Sequence, residues 1–221
     1  MSFYRRNIMG GYIIANAGGE TTGEALYTTP GTFTWTAPAG VTSVSVVAVG
    51  SAGGHATAVS NYGSPMKYSD VNGECGGAGY KNAITVVPGN GYTVVVGDCP
   101  PTADGTTTSN ISTARGKDGQ DSYFISGATV AGHGGDGAYA KVTWSTGSTS
   151  GTAPGAGEGT YVGDGGKLGI DGSGSQLGYE LTDLSDYGIS SDPGGNYKDG
   201  AVRIVWGTNV AFPNTNTETK T

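Results

Sequence analysis

The chain of 221 residues is poor in the side chains from which catalytic centres are usually built. It has two histidines, two cysteines, three methionines and only 13% charged residues. No GxSxG nucleophile motif is present, so a triad built on histidine is not predicted. No apolar run approaches the length of about 18 residues that a membrane-spanning helix needs, and no membrane insertion is predicted. We therefore expect a protein that is not an enzyme and that holds no cofactor.

Positive charge is scarce and scattered. The formal net charge is −7, and the 11 lysines and arginines form no cluster along the chain. Without a basic stripe that could neutralise phosphates, nucleic-acid binding is not predicted. Aspartates recur beside glycines, but without the spacing of an EF-hand or of a calcium-binding nonapeptide repeat. Turn formation explains these pairs, so no metal site is predicted, with structural calcium as the lesser alternative.

The two cysteines leave two possibilities open. Cys75 and Cys99 bracket one segment that contains a predicted strand. They either form a disulfide, which would close this loop, or remain two partly buried thiols. Neither belongs to a CxxC pair, so a zinc site is not predicted.

Glycine is the abundant residue. The chain has 43 glycines, far above the average usage of about 7%, yet no Gly-X-Y repeat of the collagen type. Between the glycines lie short runs rich in valine, threonine and aromatic residues, which favour strands. The sequence therefore predicts an all-β protein, an antiparallel β-sandwich or jelly-roll-like module with long glycine-rich loops.

Residues 31–54 are the stretch around which the rest of this prediction is organised. Phe33 and Trp35 alternate with threonines, as in a half-buried strand. Pro38 and the glycine two residues later predict a corner between two strands. The next run, 41–49, is apolar on one face at first and on both faces at its end, which predicts a strand that enters the interior.

Further strands are predicted at 82–87, 92–96, 122–126, 139–144 and 201–206. An Asn-Gly pair between the first two predicts an antiparallel hairpin. In the last strand Arg203 is expected to point outward. The predicted core residues are Phe33, Trp35, Val46, Val95, Trp144 and Trp206.

Three regions follow from this pattern. Residues 1–28 are predicted to be an N-terminal arm whose aromatic side chains pack on its own domain or on a neighbouring subunit, with a frayed tail as the alternative. Residues 29–207 form the glycine-rich β-domain, and 208–221 a polar, extended or frayed C-terminal tail. Only residues 179–187 are compatible with a short turn of helix.

The glycine-rich segments admit two structures. They are either ordered, as tight coils or stacked extended segments, or mobile display loops. Tyrosine combines a rigid apolar body with a hydrogen-bonding tip, which suits saccharide stacking and protein recognition, although packing against glycine-rich coils is an equally simple role. The loop positions predicted to bind a ligand are His55, Tyr62, His133 and Tyr161.

Four motifs in fixed order resemble a known family. They are FTWTAPAGVTSVSVVAVG, GGAGYKNAITVVPGNGYTVVVGD, DGQDSYF and the terminal GAVRIVWG. This order resembles the glycine-rich-domain structural proteins of tailed bacteriophage virions, above all the tail, fibre or adhesin proteins of cyanophages. In tip adhesins of similar composition, glycine segments stack as polyproline-II-like strands and loops at one end select the receptor. The glycine runs here are shorter and are interrupted by Tyr, Asp and Thr.

The resemblance implies a non-enzymatic virion protein that is exposed on the particle surface after assembly in the host cytoplasm. We expect a tail or tail-fibre component that assists attachment to the host cell. Its expected partners are other virion proteins through the N-terminal arm, further copies of itself in a homo-oligomer, and a host receptor or glycan. The alternatives are a capsid decoration or head-fibre protein, and a carbohydrate-binding module that acts as a lectin.

Overall fold

A computed structural model describes residues 4–8, 11–15, 22–64, 66–107, 110–143, 148–152, 160–167, 184, 188, 198–208 and 210–212. These residues form eighteen β-strands, and none of them lies in a helix. The predicted all-β fold with antiparallel sheets is confirmed, whereas the sandwich or jelly-roll topology stays a prediction. Trp144 and all of the possible helical turn at 179–187 except Leu184 lie outside the described residues.

Two five-stranded antiparallel sheets form one end of the molecule, which we call the base. In spatial order, sheet I consists of β16 (Tyr161–Val162), β13 (Val130–Gly132), β12 (Ser122–Phe124), β9 (Gly91–Val96) and β4 (Gly31–Thr36). Sheet II consists of β17 (Gly165–Lys167), β8 (Ala78–Thr85), β5 (Ser43–Val49), β18 (Ala201–Trp206) and β3 (Gly23–Tyr27).

One hydrophobic core draws its side chains from both sheets of the base. Trp35 is buried near its centre, with the rings of Trp206, Phe124 and Tyr92 at centroid distances of 5.6, 5.8 and 6.1 Å. Val46 belongs to the same core, and Phe33 packs against it. Burial of these aromatic rings supplies much of the stabilisation that a chain poor in leucine must find elsewhere.

The alternation of β5 is as predicted. Val44, Val46 and Ala48 face the core between the sheets, while Val47 and Val49 belong to a second cluster on the other face of sheet II. The strand therefore starts with one buried face and ends with two.

Val95 was predicted to be a core residue, and this is wrong. Val94 and Val96 are buried in the core, and Val95 is only half-buried on the opposite face of β9. Because three valines follow one another, the period of two alone could not fix which face of the strand points inward.

The predicted hairpin between 82–87 and 92–96 is also wrong. β8 pairs with β5 in sheet II, whereas β9 pairs with β4 in sheet I. The connection turns at Pro88 and Gly89, where Gly89 has a φ of +83° and the N–H of Asn90 donates to the carbonyl of Val87 at 3.1 Å. This is the geometry of a type II turn, which splays its strands where the Asn-Gly type I′ turn would join them.

The corner predicted at residues 37–40 is confirmed. It connects β4 of sheet I with β5 of sheet II, with Gly40 at a φ of +82° and a hydrogen bond of 3.1 Å from the N–H of Val41 to the carbonyl of Pro38. Both Pro-Gly turns thus carry the chain between the two sheets at the same end of the base.

The face of sheet II that points away from the shared core is covered by Leu184 and by residues near the C-terminus. Phe212 and Leu184 pack there with Val47, Val49 and Val205. Asn82 fixes the backbone of Phe212 with two hydrogen bonds of 2.8 and 2.9 Å. Residues 210–212 of the predicted tail are therefore held against the base and not frayed.

Arg203 points away from the core between the sheets, as predicted, but it is not exposed to solvent. Its buried side chain forms hydrogen bonds of 2.7 and 3.1 Å with one carboxylate oxygen of Glu24. Glu24 lies on β3, so the last segment of the predicted N-terminal arm is an edge strand of sheet II. The hairpin of β1 (Tyr4–Ile8) and β2 (Gly11–Ala15) lies beside β3.

Four glycine-rich segments run side by side between the base and the far end of the molecule, and we call them the glycine bundle. They are residues 50–54, 73–77, 116–120 and 133–138. Their hydrogen bonds recur every third residue: Gly50 N–H to Gly77 O, Gly53 N–H to Glu74 O, Ser51 N–H to Gln120 O, and Gly54 N–H to Lys117 O, at 2.8 to 3.0 Å. A spacing of three is that of a polyproline-II helix, which has three residues per turn and no internal hydrogen bonds. These segments are therefore ordered, stacked extended chains.

Glycine is required wherever two segments of the bundle touch. A Cβ atom added at any of nine glycines would overlap a backbone carbonyl of a neighbouring segment; they are Gly50, Gly53, Gly73, Gly76, Gly116, Gly119, Gly134, Gly135 and Gly137. All of them except Gly135 form four pairs, each three residues apart, so each pair occupies one side of a threefold helix.

Beyond the bundle, the far end of the molecule consists of two small sheets. Sheet III contains β10 (Ala103–Thr107), β6 (Ala56–Ser60) and β7 (Lys67–Val71), and sheet IV contains β11 (Ile111–Arg115), β14 (Tyr139–Thr143) and β15 (Ser148–Thr152). They pack through a core of small residues: Ala56, Ala58, Ala114, Ala138, Ala140 and Val142.

One strand pair departs from the predicted antiparallel arrangement. β6 and β10 are parallel, because each follows a strand of the base and both run outward. β7 and β11 lead back through the bundle to the base.

Candidate functional site

The solvent-facing side of sheet III is the most distinctive surface of the far end, and we call it the outer face. In β6 and β7 the alternation buries Ala56, Ala58 and Ser69 against sheet IV. The side chains of the alternate positions point the other way: Thr57, Val59, Tyr68, Asp70, Asp104 and Thr106. The outer face therefore combines one tyrosine ring, one valine, two carboxylates and two threonine hydroxyls.

Strand register arranges these six side chains in two rows. Asp104, Thr57 and Asp70 are paired across the three strands in the row nearer the bundle. Thr106, Val59 and Tyr68 form the next row outward. Paired residues on one face of neighbouring strands lie about 5 Å apart, so each row is short enough to contact a single small ligand.

Asp70 is held in place although its side chain is 48% exposed. The hydroxyl of Thr57 donates to Oδ1 at 2.8 Å, and Nε2 of His55 lies 2.6 Å from the same oxygen. His55 itself is 10% exposed, with Nδ1 at 3.4 Å from the Thr57 hydroxyl. Both contacts involve Oδ1, so they orient the carboxylate while Oδ2 takes part in neither.

Large apolar side chains are concentrated at the outer end of sheet III. Tyr62, Met66 and Tyr68 are 61%, 58% and 65% exposed. Tyr68 lies on β7, and the other two lie in the connection between β6 and β7. Scattered apolar residues on a surface are normal, but three around one hairpin tip are typical of a recognition surface.

His133 and Tyr161 lie elsewhere, where sheet I meets the bundle. Nδ1 of His133 is 2.9 Å from Oδ2 of Asp121, whose other oxygen accepts the N–H of Gly134 at 3.0 Å. Tyr161 is the first residue of β16 and pairs with Gly132, directly before His133. Both oxygens of this aspartate are engaged in holding the bundle segment, which is a structural role.

The four predicted site residues therefore form two pairs and not one site. His55 and Tyr62 flank β6 at the far end, and His133 and Tyr161 lie together at the base. Residues 50–54 span the distance between the pairs, which at 3.1 Å per residue is roughly 15 Å. Tyr161 lies in a strand, and His55 is buried beside Asp70.

The sequence prediction missed Asp70, Thr57 and Asp104 as site residues. The sequence predicted no strand between residues 54 and 82, and Tyr68 was not among the loop positions predicted to bind a ligand. In the sequence KYSDV at 67–71, the alternation of a strand places Tyr68 and Asp70 on one face. This pattern could have revealed the two residues as part of one surface.

Neither Cys75 nor Cys99 belongs to a disulfide, and both are half-buried. Burial, with smaller contributions from the negative charges of Asp199 and Asp98, raises the pKa of the Cys99 thiol to about 12. This thiol is protonated at neutral pH and is a poor nucleophile.

Within the described residues, no group of three or more His, Cys, Asp and Glu side chains is placed to hold a metal ion. The same part of the chain contains no helix that is long and apolar enough to cross a membrane.

The base, the glycine bundle and the far sheets define a glycine-rich, all-β protein in which glycine is needed for close packing of backbones. The chain matches the family model of the glycine-rich domain over residues 28–218, and it therefore belongs to that family. The match includes all three parts of the fold. A comparison with curated proteins found no match.

Proposed function

We propose that this chain is a non-enzymatic structural protein of a tailed-phage virion, a surface-exposed tail or tail-fibre component that assists attachment to the host cell. The observation that carries the proposal is the position of the exposed aromatic residues Tyr62, Met66 and Tyr68 at the end opposite the base. The far end would contact the host, and the base would connect to the particle.

The position of the N-terminal region supports this polarity. β3 is an edge strand of sheet II, and the hairpin of β1 and β2 lies beside it. In this proposal the N-terminal arm contacts other virion proteins and further copies of the chain. Several copies on one particle would give avidity from individually weak contacts, because linked sites bind at a high effective concentration.

The glycine bundle supports the proposal in a second way. An attachment surface loses less binding free energy to conformational entropy when it is already ordered. Hydrogen bonds in three directions hold the bundle segments, and sheets III and IV share their own core. The far end is therefore presented on a stiff support and not on mobile loops.

A second candidate is a carbohydrate-binding module that acts as a free lectin. The observation that favours it is the outer face itself, where the ring of Tyr68 and the carboxylate of Asp70 lie two residues apart on the same strand face. Such a face would serve a lectin as well as an attachment protein.

Two measurements test the proposal. Gold-labelled antibodies against the chain should mark the tail or tail fibres of phage particles in electron micrographs. The soluble chain, added in excess, should slow adsorption of the phage to its bacterial host. Labelling of the capsid would point instead to a decoration or head-fibre protein, and absence from the particle together with glycan binding would favour the free lectin.

A further inference from the structure

We infer that the outer face of sheet III binds an uncharged, hydroxyl-rich saccharide, with the ring of Tyr68 as a stacking surface and Asp70 as an oriented hydrogen-bond acceptor. The inference rests on the proposed function, because it specifies what the far end recognises on a cell. It concerns the ligand class, about which fold and family are silent.

The two rows of side chains match the apolar face of a sugar ring and its hydroxyl-bearing edge. A saccharide presents an apolar C–H surface to an aromatic ring and hydroxyl groups at its edge. Tyr68 is 65% exposed and has Val59 as its neighbour in the same row. The adjacent row supplies Asp70, Thr57 and Asp104, and carboxylates are strong acceptors for hydroxyl donors.

Charge selects among saccharides. The six outward positions of the face contain two aspartates and no lysine or arginine. Sialic acids, uronic acids, sulfated sugars and phosphorylated lipopolysaccharide would place like charge against Asp70 and Asp104, which disfavours their binding. The hydroxyl groups of a neutral hexose can donate hydrogen bonds to the same oxygens without this repulsion.

The size of the face favours a saccharide over a protein partner. A stable protein interface buries about 800 Å² on each side and uses 20–30 residues. The outer face has six positions in two short rows, which suits one or two sugar units. Met66 and Tyr62 lie beyond it and could contact the next units of a longer chain.

The orientation of Asp70 distinguishes it from the structural aspartate at the base. Asp121, with the same 48% exposure, uses both oxygens to hold His133 and the backbone of Gly134. The contacts of Asp70 with His55 and Thr57 both involve Oδ1. His55 is therefore a positioning residue that presents Oδ2 of Asp70 in a fixed direction, an arrangement that lowers the entropic cost of binding.

The test uses the full chain on an array of neutral gluco-, galacto- and manno-oligosaccharides printed beside sialylated, sulfated and uronic-acid glycans. Binding to at least one neutral glycan is expected, with the anionic glycans bound more weakly. Tyr68→Ala and Asp70→Asn should each weaken that binding at least about tenfold, whereas Tyr68→Phe keeps the stacking ring and should stay within about threefold.

Matched controls come from the same chain. Tyr139→Ala removes an exposed tyrosine from sheet IV, and Asp121→Asn alters the aspartate that pairs with the other histidine. Neither should change glycan binding by more than about twofold. Melting temperatures measured in parallel identify any variant that loses binding only because it unfolds.

The outcomes separate the inference from the proposed function. Adhesion of the chain to host cells without binding to any neutral glycan would overturn the inference and leave the attachment function standing. Preference for anionic glycans, or neutral binding that Tyr68→Ala and Asp70→Asn leave intact, would overturn it as well. Neutral binding that depends on both residues would support the ligand class even if the chain were absent from phage particles, in which case the attachment proposal alone would fail.

Discussion

Gly119→Ala is the substitution that examines the glycine bundle most directly. Gly119 faces the segment 50–54, and a Cβ atom added there would lie 2.5 Å from the carbonyl oxygen of Ala52 and 2.6 Å from that of Ser51. Carbon and oxygen atoms in close contact are about 3.3 Å apart at the least. The two segments would therefore have to separate by roughly 0.8 Å to admit the methyl group.

The cost of this separation follows from the hydrogen bonds between the two segments. The N–H of Ser51 donates to Gln120 at 3.0 Å, and that of Gly54 donates to Lys117 at 2.8 Å. Lengthening both by roughly 0.8 Å takes them past the useful range of about 3.2 Å. Each lost bond costs about 1 kcal/mol, and overpacking adds about 1–3 kcal/mol. We expect Gly119→Ala to lower the free energy of unfolding by about 3–5 kcal/mol.

Urea denaturation, monitored by tryptophan fluorescence, measures this loss of unfolding free energy. Gly127→Ala is the control. Gly127 lies between β12 and β13, and an added Cβ atom there meets nothing within 4 Å. Its substitution should change the free energy of unfolding by less than about 0.5 kcal/mol. Equal denaturation midpoints for the two variants would refute the close packing of the bundle.

Three further predictions concern the base. Trp35→Ala removes the ring at the centre of the core and should cost about 3–5 kcal/mol in urea denaturation; an unchanged melting temperature would show that the ring is not in the core. Glu24→Gln leaves the charge of Arg203 buried without its carboxylate and should cost about 3 kcal/mol, more than the double variant Glu24→Gln with Arg203→Met, and equal losses would contradict a buried ion pair. Burial raises the pKa of Tyr27 to about 12, as burial and two aspartates do for Cys99, so the folded state holds both protons more tightly than the unfolded state. The contribution of these two groups to stability should therefore be constant below about pH 9 and be lost between pH 9 and 12, and a midpoint in urea that does not move between pH 8 and 11 would contradict this.

The base was largely predictable from the sequence because a period of two is a strong signal when one face is buried. Phe33 and Trp35 fixed the inward face of β4, and the valines of β5 predicted a strand with two buried faces. Errors arose where the pattern is degenerate. The valine triplet at 94–96 has no alternation, and Pro-Gly-Asn-Gly offers two competing turns, of which only the pairing of whole strands selects one.

Of the far end, only β14 matches a predicted strand, that at 139–144. Its other strands were not predicted, since they are built from small and polar residues. Alanines fill the core between sheets III and IV, and their small burial gives little hydrophobic contrast along the sequence. The spacing of three residues between the paired glycines can be seen in the sequence. It is the period of a polyproline-II helix, however, and predicts neither a strand nor a turn. The candidate site was not predicted either, because Asp70 and Thr57 lie on strands where the sequence predicted none.

The period of three also explains why the far end can be both rigid and separate from the base. A strand in a sheet has hydrogen-bonded neighbours on two sides, whereas the bundle segments 50–54, 73–77 and 133–138 each bond at least three neighbours around their axes. The bundle therefore fixes the direction in which segment 50–54 enters β6, and β10 runs parallel to β6 in sheet III. Since the six side chains of the outer face point away from sheet IV, they can change without touching the glycines or the core of the base. Such a division lets a recognition surface vary on an unchanged support, which is what attachment to differing cell surfaces would require.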